Sequence, residues 1–231
     1  HLLSRRQRQM CIRDSWCMLY CRAADKLFKD MLYTEQLDRA LAWCKNHGTA
    51  EQRAWMGLYL GRSYVKDKLF IPAMKAYSDA LSLAKEKYLY DVAGYICSYM
   101  ADLYTYTGQR SEERRKFEEA AEFFKQAGNE RSYAFALRDV AKTWAFDDSL
   151  SLALHYMLIA DSVITRFQDL RGISSISNGL GNIYDLMGDV EKARAYYSRS
   201  LSSDTMDQVP SYLALSDLYY NESLLDSARY Y

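Results

Sequence analysis

The feature that most constrains the fold of this chain is a pattern of small and large residues that recurs every forty positions. It is clearest in residues 180–200, LGNIYDLMGDVEKARAYYSRS, where its members are Leu180, Gly181, Tyr184, Gly188, Ala193 and Tyr197. Two antiparallel helices joined by a short turn come closest where their side chains are smallest. The pattern therefore predicts a helical hairpin, with aromatic rings on either side of the close contact.

Earlier parts of the chain fill the same positions in steps of forty residues. The three earlier sets are Leu60, Gly61, Tyr64, Ala73, Tyr77 and Ala80; Met100, Ala101, Tyr104, Gly108, Phe117 and Ala120; and Val140, Ala141, Trp144, Ala153, Met157 and Ala160. A further copy begins at Leu215, Ser216 and Tyr219 and reaches Ala228. Two positions depart from the pattern, because Ser200 stands where Ala is usual and Glu113 where a small residue is expected.

This pattern resembles the tetratricopeptide repeat (TPR), in the bacterial type with repeats lengthened from about 34 to about 40 residues. The resemblance implies an all-α fold, an α-solenoid in which antiparallel helix pairs stack into a right-handed superhelix. It covers roughly residues 54–231. It is specific for the fold and says little about function, because repeats of this kind serve many partners.

The repeats predict the organisation of the domain. Residues 1–20 form an N-terminal segment whose part 4–15 resembles translated sequencing adapter, with a native basic tail as the alternative. Residues 21–53 are interpreted as a degenerate capping repeat. The array then occupies residues 54–231, with repeats near 54–93, 94–133, 134–173, 174–208 and an incomplete one at 209–231.

Turn and capping signals predict several helix ends. We expect helices to begin at Pro72 and at Pro210, because proline at a helix start loses no hydrogen bond. Gly108 marks a turn followed by Ser111 as N-cap, and Gly188 marks another followed by Asp189 as N-cap.

Composition limits the classes of partner. Lys and Arg total 30 and Asp and Glu total 30, so the formal net charge is zero, which argues against nucleic acid or an anionic membrane as the main partner. No uncharged run is long enough to span a bilayer. The 5 scattered cysteines favour a reducing compartment, so we expect a cytoplasmic protein. The chain begins at His1, which suggests a fragment and leaves export or a membrane anchor open.

The resemblance also implies a binding surface, because the first helix of each repeat would line a concave groove. The residues expected to hold an extended protein or peptide segment there are Arg62, Tyr95, Tyr106, Phe135, Arg138, Lys142, Asn178 and Asn182. Arg138 and Lys142 lie four residues apart and repel each other unless an acidic group sits between them, so an acidic partner is one option. Asn178 and Asn182 repeat that spacing and could hold a peptide backbone. The alternatives are a solvated cation pair and an asparagine that belongs to the repeat itself.

The sequence favours neither catalysis nor a metal site. Cys17, Cys21, Cys44 and His47 are ligand types for zinc, but their spacing is not that of a zinc knuckle, and Cys44 and Cys97 are more simply packed as small hydrophobic residues. His155 is expected to be a hydrogen-bonded or surface-facing residue and not a catalytic base, and the sequence contains no phosphate-binding loop and no nucleophile motif. We therefore predict no enzyme activity, no cofactor and no metal.

Two functions stay open at this level. The first is a scaffold that binds an extended partner segment in the concave groove. The alternative is a ligand- or peptide-sensing domain of a bacterial signalling or transcription regulator, with its output domain outside this sequence. Sequence beyond Tyr231 would separate them. The partner's identity and the oligomeric state are not predicted.

Overall fold

The computed structural model describes residues 16–24, 33–203 and 208–231, and every regular element among them is an α-helix. The predicted residues 4–15 lie outside the described part of the chain. The chain divides into two compact units, His1–Ala127 and Gly128–Tyr231. The all-α fold predicted from the repeats is confirmed.

The first unit contains α1 to α6. Residues 16–24 are helical and form α1. The following helices are α2 (Thr34–His47), α3 (Ala50–Lys66), α4 (Phe70–Glu86), α5 (Tyr90–Thr107) and α6 (Arg110–Gln126). Here α3 packs on α4 and α5 on α6, and the alternate helices α3 and α5 also touch.

The second unit contains α7 to α12. Its helices are α7 (Glu130–Phe146), α8 (Leu150–Arg166), α9 (Leu170–Leu186), α10 (Val190–Ser203), α11 (Val209–Asn221) and α12 (Leu225–Tyr230). Each helix packs on the next, and α9 also contacts both α7 and α11. Thus the first helices of successive hairpins lie side by side, which is the packing of stacked hairpins predicted from the sequence.

Close approach within the hairpins depends on glycine. A Cβ on Gly61 would overlap the ring of Tyr77, and one on Gly181 would overlap the ring of Tyr197. Both tyrosines are 1% exposed, so each ring packs against the opposite backbone in the core. The paired positions inferred from the repeat pattern are thereby confirmed as contacts.

The turns between helices share one backbone geometry. From Lys68 to Gly188, one residue in every twenty adopts a positive φ: Lys68, Tyr88, Gly108, Gly128, Asp148, Gln168 and Gly188. At several of them the next N–H bonds back to a carbonyl five residues earlier, as from Leu69 to Tyr64 at 2.8 Å and from Asp189 to Tyr184 at 2.9 Å. This is the Schellman arrangement, which satisfies the last carbonyls of a helix.

This turn geometry corrects two predicted helix starts. The helix expected to begin at Pro72 begins at Phe70, and Ser111 is not an N-cap because α6 begins at Arg110 with Gln109 in the cap position. A left-handed residue followed by one cap residue fixes the start, whatever side chain follows. The other two signals hold, since the Asp189 carboxylate accepts from the Lys192 N–H at 3.2 Å and Pro210 lies in the first turn of α11.

Glu113 stands where the repeat pattern has a small residue, but it does not prevent α6 from packing on α5. Its carboxylate accepts a hydrogen bond of 2.9 Å from the Thr105 hydroxyl, and the two helices pack along their length. Within the described residues, none of the helices is both long and apolar enough to cross a membrane.

Candidate functional site

The predicted residues of the second unit lie on α7 and α9, which touch. Both helices are capped at their starts by a side chain, Asn129 accepting from the Ser132 N–H at 3.1 Å and Asp169 accepting from the Gly172 N–H at 3.2 Å. Asp169 also pairs with Arg131 of α7. The start of α9 is therefore tied to α7 by an ion pair.

Phe135 is half-buried between two cations on its own helix. The guanidinium carbons of Arg131 and Arg138 each lie 4.9 Å from the centre of its ring. Cation–π contacts of this kind hold both arginines against an apolar surface and fix the ring between them. Phe135 is thus an ordered aromatic side chain.

An acidic residue of the chain itself offsets the repulsion between Arg138 and Lys142. Asp139 accepts from Arg138 Nε at 3.0 Å and from Nη2 at 2.9 Å, and Lys142 Nζ lies 3.3 Å from the same carboxylate. The remaining terminal nitrogen, Nη1, donates to the Ser175 hydroxyl on α9 at 2.9 Å. Arg138 therefore connects α7 to α9, whereas the Lys142 side chain is 51% exposed.

The two asparagines also make internal contacts. Asn178 donates through Nδ2 to the Ser211 hydroxyl on α11 at 3.1 Å, so it connects α9 to α11 as Arg138 connects α7 to α9. Asn182 is exposed, and its Oδ1 accepts from the Tyr197 hydroxyl at 2.8 Å. Each amide is oriented by one fixed partner.

A buried chain of hydroxyls below Asn178 was not predicted. Ser211 donates to Ser200 at 2.8 Å, and Ser200 donates to the Ser174 carbonyl at 2.9 Å. All three serines are at most 6% exposed. The only signal in the sequence was Ser200 in a position where alanine is usual.

In the first unit the predicted residues are more widely separated. The guanidinium carbon of Arg62 lies 4.6 Å from the ring centre of Tyr99, a residue that was not predicted. Tyr95 is half-buried between Trp55, at 5.5 Å, and Phe124, at 4.9 Å. Tyr106 is 70% exposed and stacks on Phe70 at 6.0 Å. Tyr95 and Tyr106 are three turns apart on α5, so these three residues do not converge on one point.

The described histidines and cysteines do not form a metal centre. Among the described residues, no group of three or more His, Cys, Asp or Glu side chains could hold a metal ion. Cys17, Cys21, Cys44 and Cys97 are buried, and the His47 ring stacks on Trp43 with centres 5.0 Å apart. His155 is exposed on α8, as predicted.

No protein-family model matches the chain, and neither does any curated protein. Solved structures do match. BtubC (BKLC) from P. vanneervenii is similar with a TM-score of 0.71 at 20% identity, over 94% of this chain and 87% of that one. NprR, solved in complex with its cognate peptide NprX, is similar with a TM-score of 0.64 at 17% identity, over 99% of this chain and 66% of that one.

A third similar structure is itself a TPR-like repeat protein. A kinesin light chain from Podosopora anserina with nearly identical TPR-like repeats is similar with a TM-score of 0.59 at 12% identity, over 84% of this chain and 94% of that one. The helical hairpins described above and the forty-residue sequence pattern both match repeats of this kind. The chain therefore has the fold of the TPR-like repeat proteins.

Proposed function

We propose that the second unit binds an extended segment of a partner protein along the face that α7 and α9 share. The observation that carries the proposal is the pair of side-chain hydrogen bonds between alternate helices, Arg138 to Ser175 and Asn178 to Ser211. The two donors are forty residues apart and occupy equivalent positions of successive repeats. They hold the side chains of three helices in one ordered strip, so less conformational entropy is lost when a ligand binds.

The chemistry of this strip suits a peptide with a carboxylate and an aromatic or aliphatic side chain. Lys142 is half-exposed and pairs with Asp139 of its own chain, so a partner carboxylate can share it at little cost in desolvation. Asn182 on α9 is exposed and can bond to a peptide backbone. Phe135 offers an apolar contact on the same face.

The comparison with NprR supports a peptide as the ligand, since that similar fold is solved with its cognate peptide. The test is to select ligands for the full chain from a display library of random peptides of about 12 residues, then measure their affinities by calorimetry. We expect Lys142→Glu to weaken binding by roughly tenfold or more, since it reverses a charge at the carboxylate. Arg138 is less suitable as the tested position, because its loss also removes bonds between helices.

Lys192→Glu is the matched control. Lys192 also pairs with an aspartate three residues earlier, at 2.6 Å, and its side chain is 58% exposed, but it lies on the second helix of its hairpin. We expect its affinity to stay within about twofold of the unmodified chain. Equal loss in both variants, or in neither, would remove the α7–α9 face as the binding surface.

A second candidate function is peptide sensing, in which the ligand changes the conformation of the array. The NprR comparison favours it as well. Small-angle scattering with a selected peptide separates the two functions. A sensor shows a ligand-dependent change in the radius of gyration, and a scaffold does not.

A further inference from the structure

A cavity of about 350 Å³ lies within the first unit, among α2, α3 and α4. Its volume is in the range of small-molecule sites, roughly 300–1,000 Å³. The lining combines an apolar floor with charged walls. The polar and charged side chains of the walls are Asp38, Lys45, Arg53, Tyr64, Lys75 and Asp79.

The floor is formed where α3 and α4 approach each other most closely. A Cβ on Gly57 would lie 2.8 Å from the Cβ of Ala80, so the two helices meet through their smallest side chains. Leu41 of α2 and Leu60 of α3 complete the apolar lining. The space above this contact is therefore bounded by short side chains.

One contact gives the order of residues along the cavity. Tyr64 near the end of α3 donates to Asp38 near the start of α2 at 3.2 Å, which fixes these two helices as antiparallel neighbours. Lys45, near the end of α2, is then next to Arg53, near the start of α3. One end of the cavity thus carries two cations, and the other carries Asp38 and Tyr64.

The cationic end contains a donor without an acceptor. Nε of Arg53 is buried, and no hydrogen-bond partner for it exists in the described part of the chain. A buried guanidinium N–H left unpaired costs free energy, and a carboxylate is the acceptor that matches it best. Two carboxylates of the chain do not serve. Asp38 is held by Tyr64. Glu86 pairs with Lys87 at 2.8 Å, and this bond, with a smaller effect of the charge of Arg53, lowers the pKa of Glu86, but Glu86 does not bond to Nε.

The Tyr64 hydroxyl stays a donor to Asp38 even at high pH. Burial, and then the charge of Asp38, raises the pKa of Tyr64, so its hydroxyl keeps its proton and continues to donate. The charged groups of the walls are three cations, Lys45, Arg53 and Lys75, and two carboxylates, Asp38 and Asp79. The one positive charge in excess matches a ligand with a single negative charge.

We propose that this cavity binds a small organic monocarboxylate, with its carboxylate between Lys45 and Arg53 and its apolar body over Leu41, Gly57 and Leu60. The site is distinct from the peptide-binding face proposed above, because all of its residues lie in the first unit. Its ligand is held by one charged group and by burial of a chain or ring of modest size.

The test is a titration of the full chain with hexanoate, followed through the side-chain Nε–H signals of arginine in nitrogen-15 spectra. We expect the Arg53 signal to shift and saturate. Hexylamine, which has the same apolar body with the opposite charge, and inorganic phosphate, which lacks the body, should leave it in place. Arg53→Leu should weaken hexanoate binding about tenfold, the effect of losing one charge-assisted hydrogen bond.

Arg39→Leu is the control, because Arg39 lies on α2, pairs with Glu35 at 3.8 Å and does not line the cavity. Its affinity for hexanoate should not change. Arg53→Lys, which keeps the charge and removes Nε, should weaken binding less than Arg53→Leu, and melting curves identify any variant that fails to fold. No shift at Arg53, an equal shift with hexylamine or phosphate, or unchanged binding in both Arg53 variants would overturn the proposal. Lys142→Glu should leave hexanoate binding intact, so the two proposals fail independently.

Discussion

The hydroxyl of Tyr197 donates a hydrogen bond of 2.8 Å to Oδ1 of Asn182, while its ring packs against the backbone of Gly181 next to it. One side chain of α10 thus holds α9 in place and orients a residue of the proposed peptide-binding face. Burial, and then the charges of Asp185 and Asp217, raises the pKa of Tyr197, so the hydroxyl remains a donor. Packing in the core and the geometry of the surface are therefore linked.

The contact between Gly181 and Tyr197 predicts opposite outcomes for two glycines of one helix. Gly181→Ala should lower the free energy of unfolding by about 1–3 kcal/mol, because the new methyl group meets a rigid, fully buried ring. A Cβ on Gly179 would lie 2.6 Å from the terminal methyl of Met157, which is flexible and can move. Gly179→Ala should therefore be neutral or stabilising, since alanine favours helix by up to about 1 kcal/mol.

Urea denaturation followed by circular dichroism measures both variants. The same loss of stability in the two would mean that close helix approach, and not the ring of Tyr197, is the limiting contact.

The repeat pattern was sufficient to predict the helical hairpins and their paired residues, because Gly181 and Tyr197 recur in register as Gly61 and Tyr77. Helix starts were less predictable. Ser111 is a residue type favoured as an N-cap, but a cap there would start α6 at Glu112. The left-handed turn residue Gly108 sets the start two residues earlier, at Arg110, and a backbone turn of this kind outweighs one side-chain hydrogen bond.

The buried serines predict that replacing Ser200 with alanine, the usual residue at this repeat position, destabilises the chain. Ser200→Ala should lower the free energy of unfolding by about 1–2 kcal/mol, because the Ser211 hydroxyl loses its acceptor and the Ser174 hydroxyl loses its bond to Ser200 in the core. The reciprocal control is Ala160→Ser, which places an unpaired hydroxyl in the equivalent position one repeat earlier and should also destabilise. A Ser200→Ala variant as stable as the original chain would show that the hydroxyl chain contributes nothing net.

A buried lysine predicts sensitivity to acid in the first unit. Lys116 is 7% exposed, and its Nζ lies 2.9 Å from the Glu119 carboxylate, which Lys85 also approaches at 3.6 Å. Burial alone raises the pKa of Glu119, but Lys116 and Lys85 outweigh it and lower the pKa below its ordinary value of 4.5. The folded chain therefore holds this carboxylate ionised more strongly than the unfolded chain does, and the resulting stability is present above about pH 4.5 and lost as the pH falls.

Glu119→Gln should lower the free energy of unfolding at neutral pH by about 1–3 kcal/mol, because it leaves the Lys116 ammonium buried without a carboxylate. The variant should also lose part of the decline in stability below about pH 4.5. Melting temperatures measured between pH 3 and pH 7 test both effects. Glu118→Gln, at an exposed neighbouring position, is the control and should behave like the original chain.

Cys97 should resist alkylation while the chain is folded. Burial, and then the neighbouring Glu119 carboxylate, raises the pKa of its thiol from 9.0 to about 12, and the reactive species is the thiolate. Iodoacetamide at about pH 8.5 should label Cys97 only in denaturant, as measured by peptide mass spectrometry. Rapid labelling of the native chain would contradict the burial of this thiol.

The same shift predicts a loss of stability at high pH. The unfolded thiol ionises near 9.0 and the folded one near 12, so the free energy of unfolding should fall across this interval. Cys97→Ala should lack that part of the pH dependence.

The candidate site was predictable only in part. The repeat register predicts which positions of the first helix of each hairpin face the expected groove, and Arg138, Lys142 and Asn182 are at such positions. Their partners do not follow from it. Asp139 is a charged residue next to Arg138 in the sequence, and only the side-chain geometry shows that it takes up two of that residue's N–H groups. The Arg53 cavity depends on three helices meeting around Gly57, and a pattern within single hairpins carries no signal for it.

The left-handed turn residues have a consequence for how such a gene can change in length. Because Gly128 and Gln168 occupy the same backbone conformation forty residues apart, excising residues 129–168 would join Gly128 to Asp169 across a junction of the geometry already found at Gln168. Recombination between equivalent turns could therefore add or remove whole hairpins without interrupting a helix.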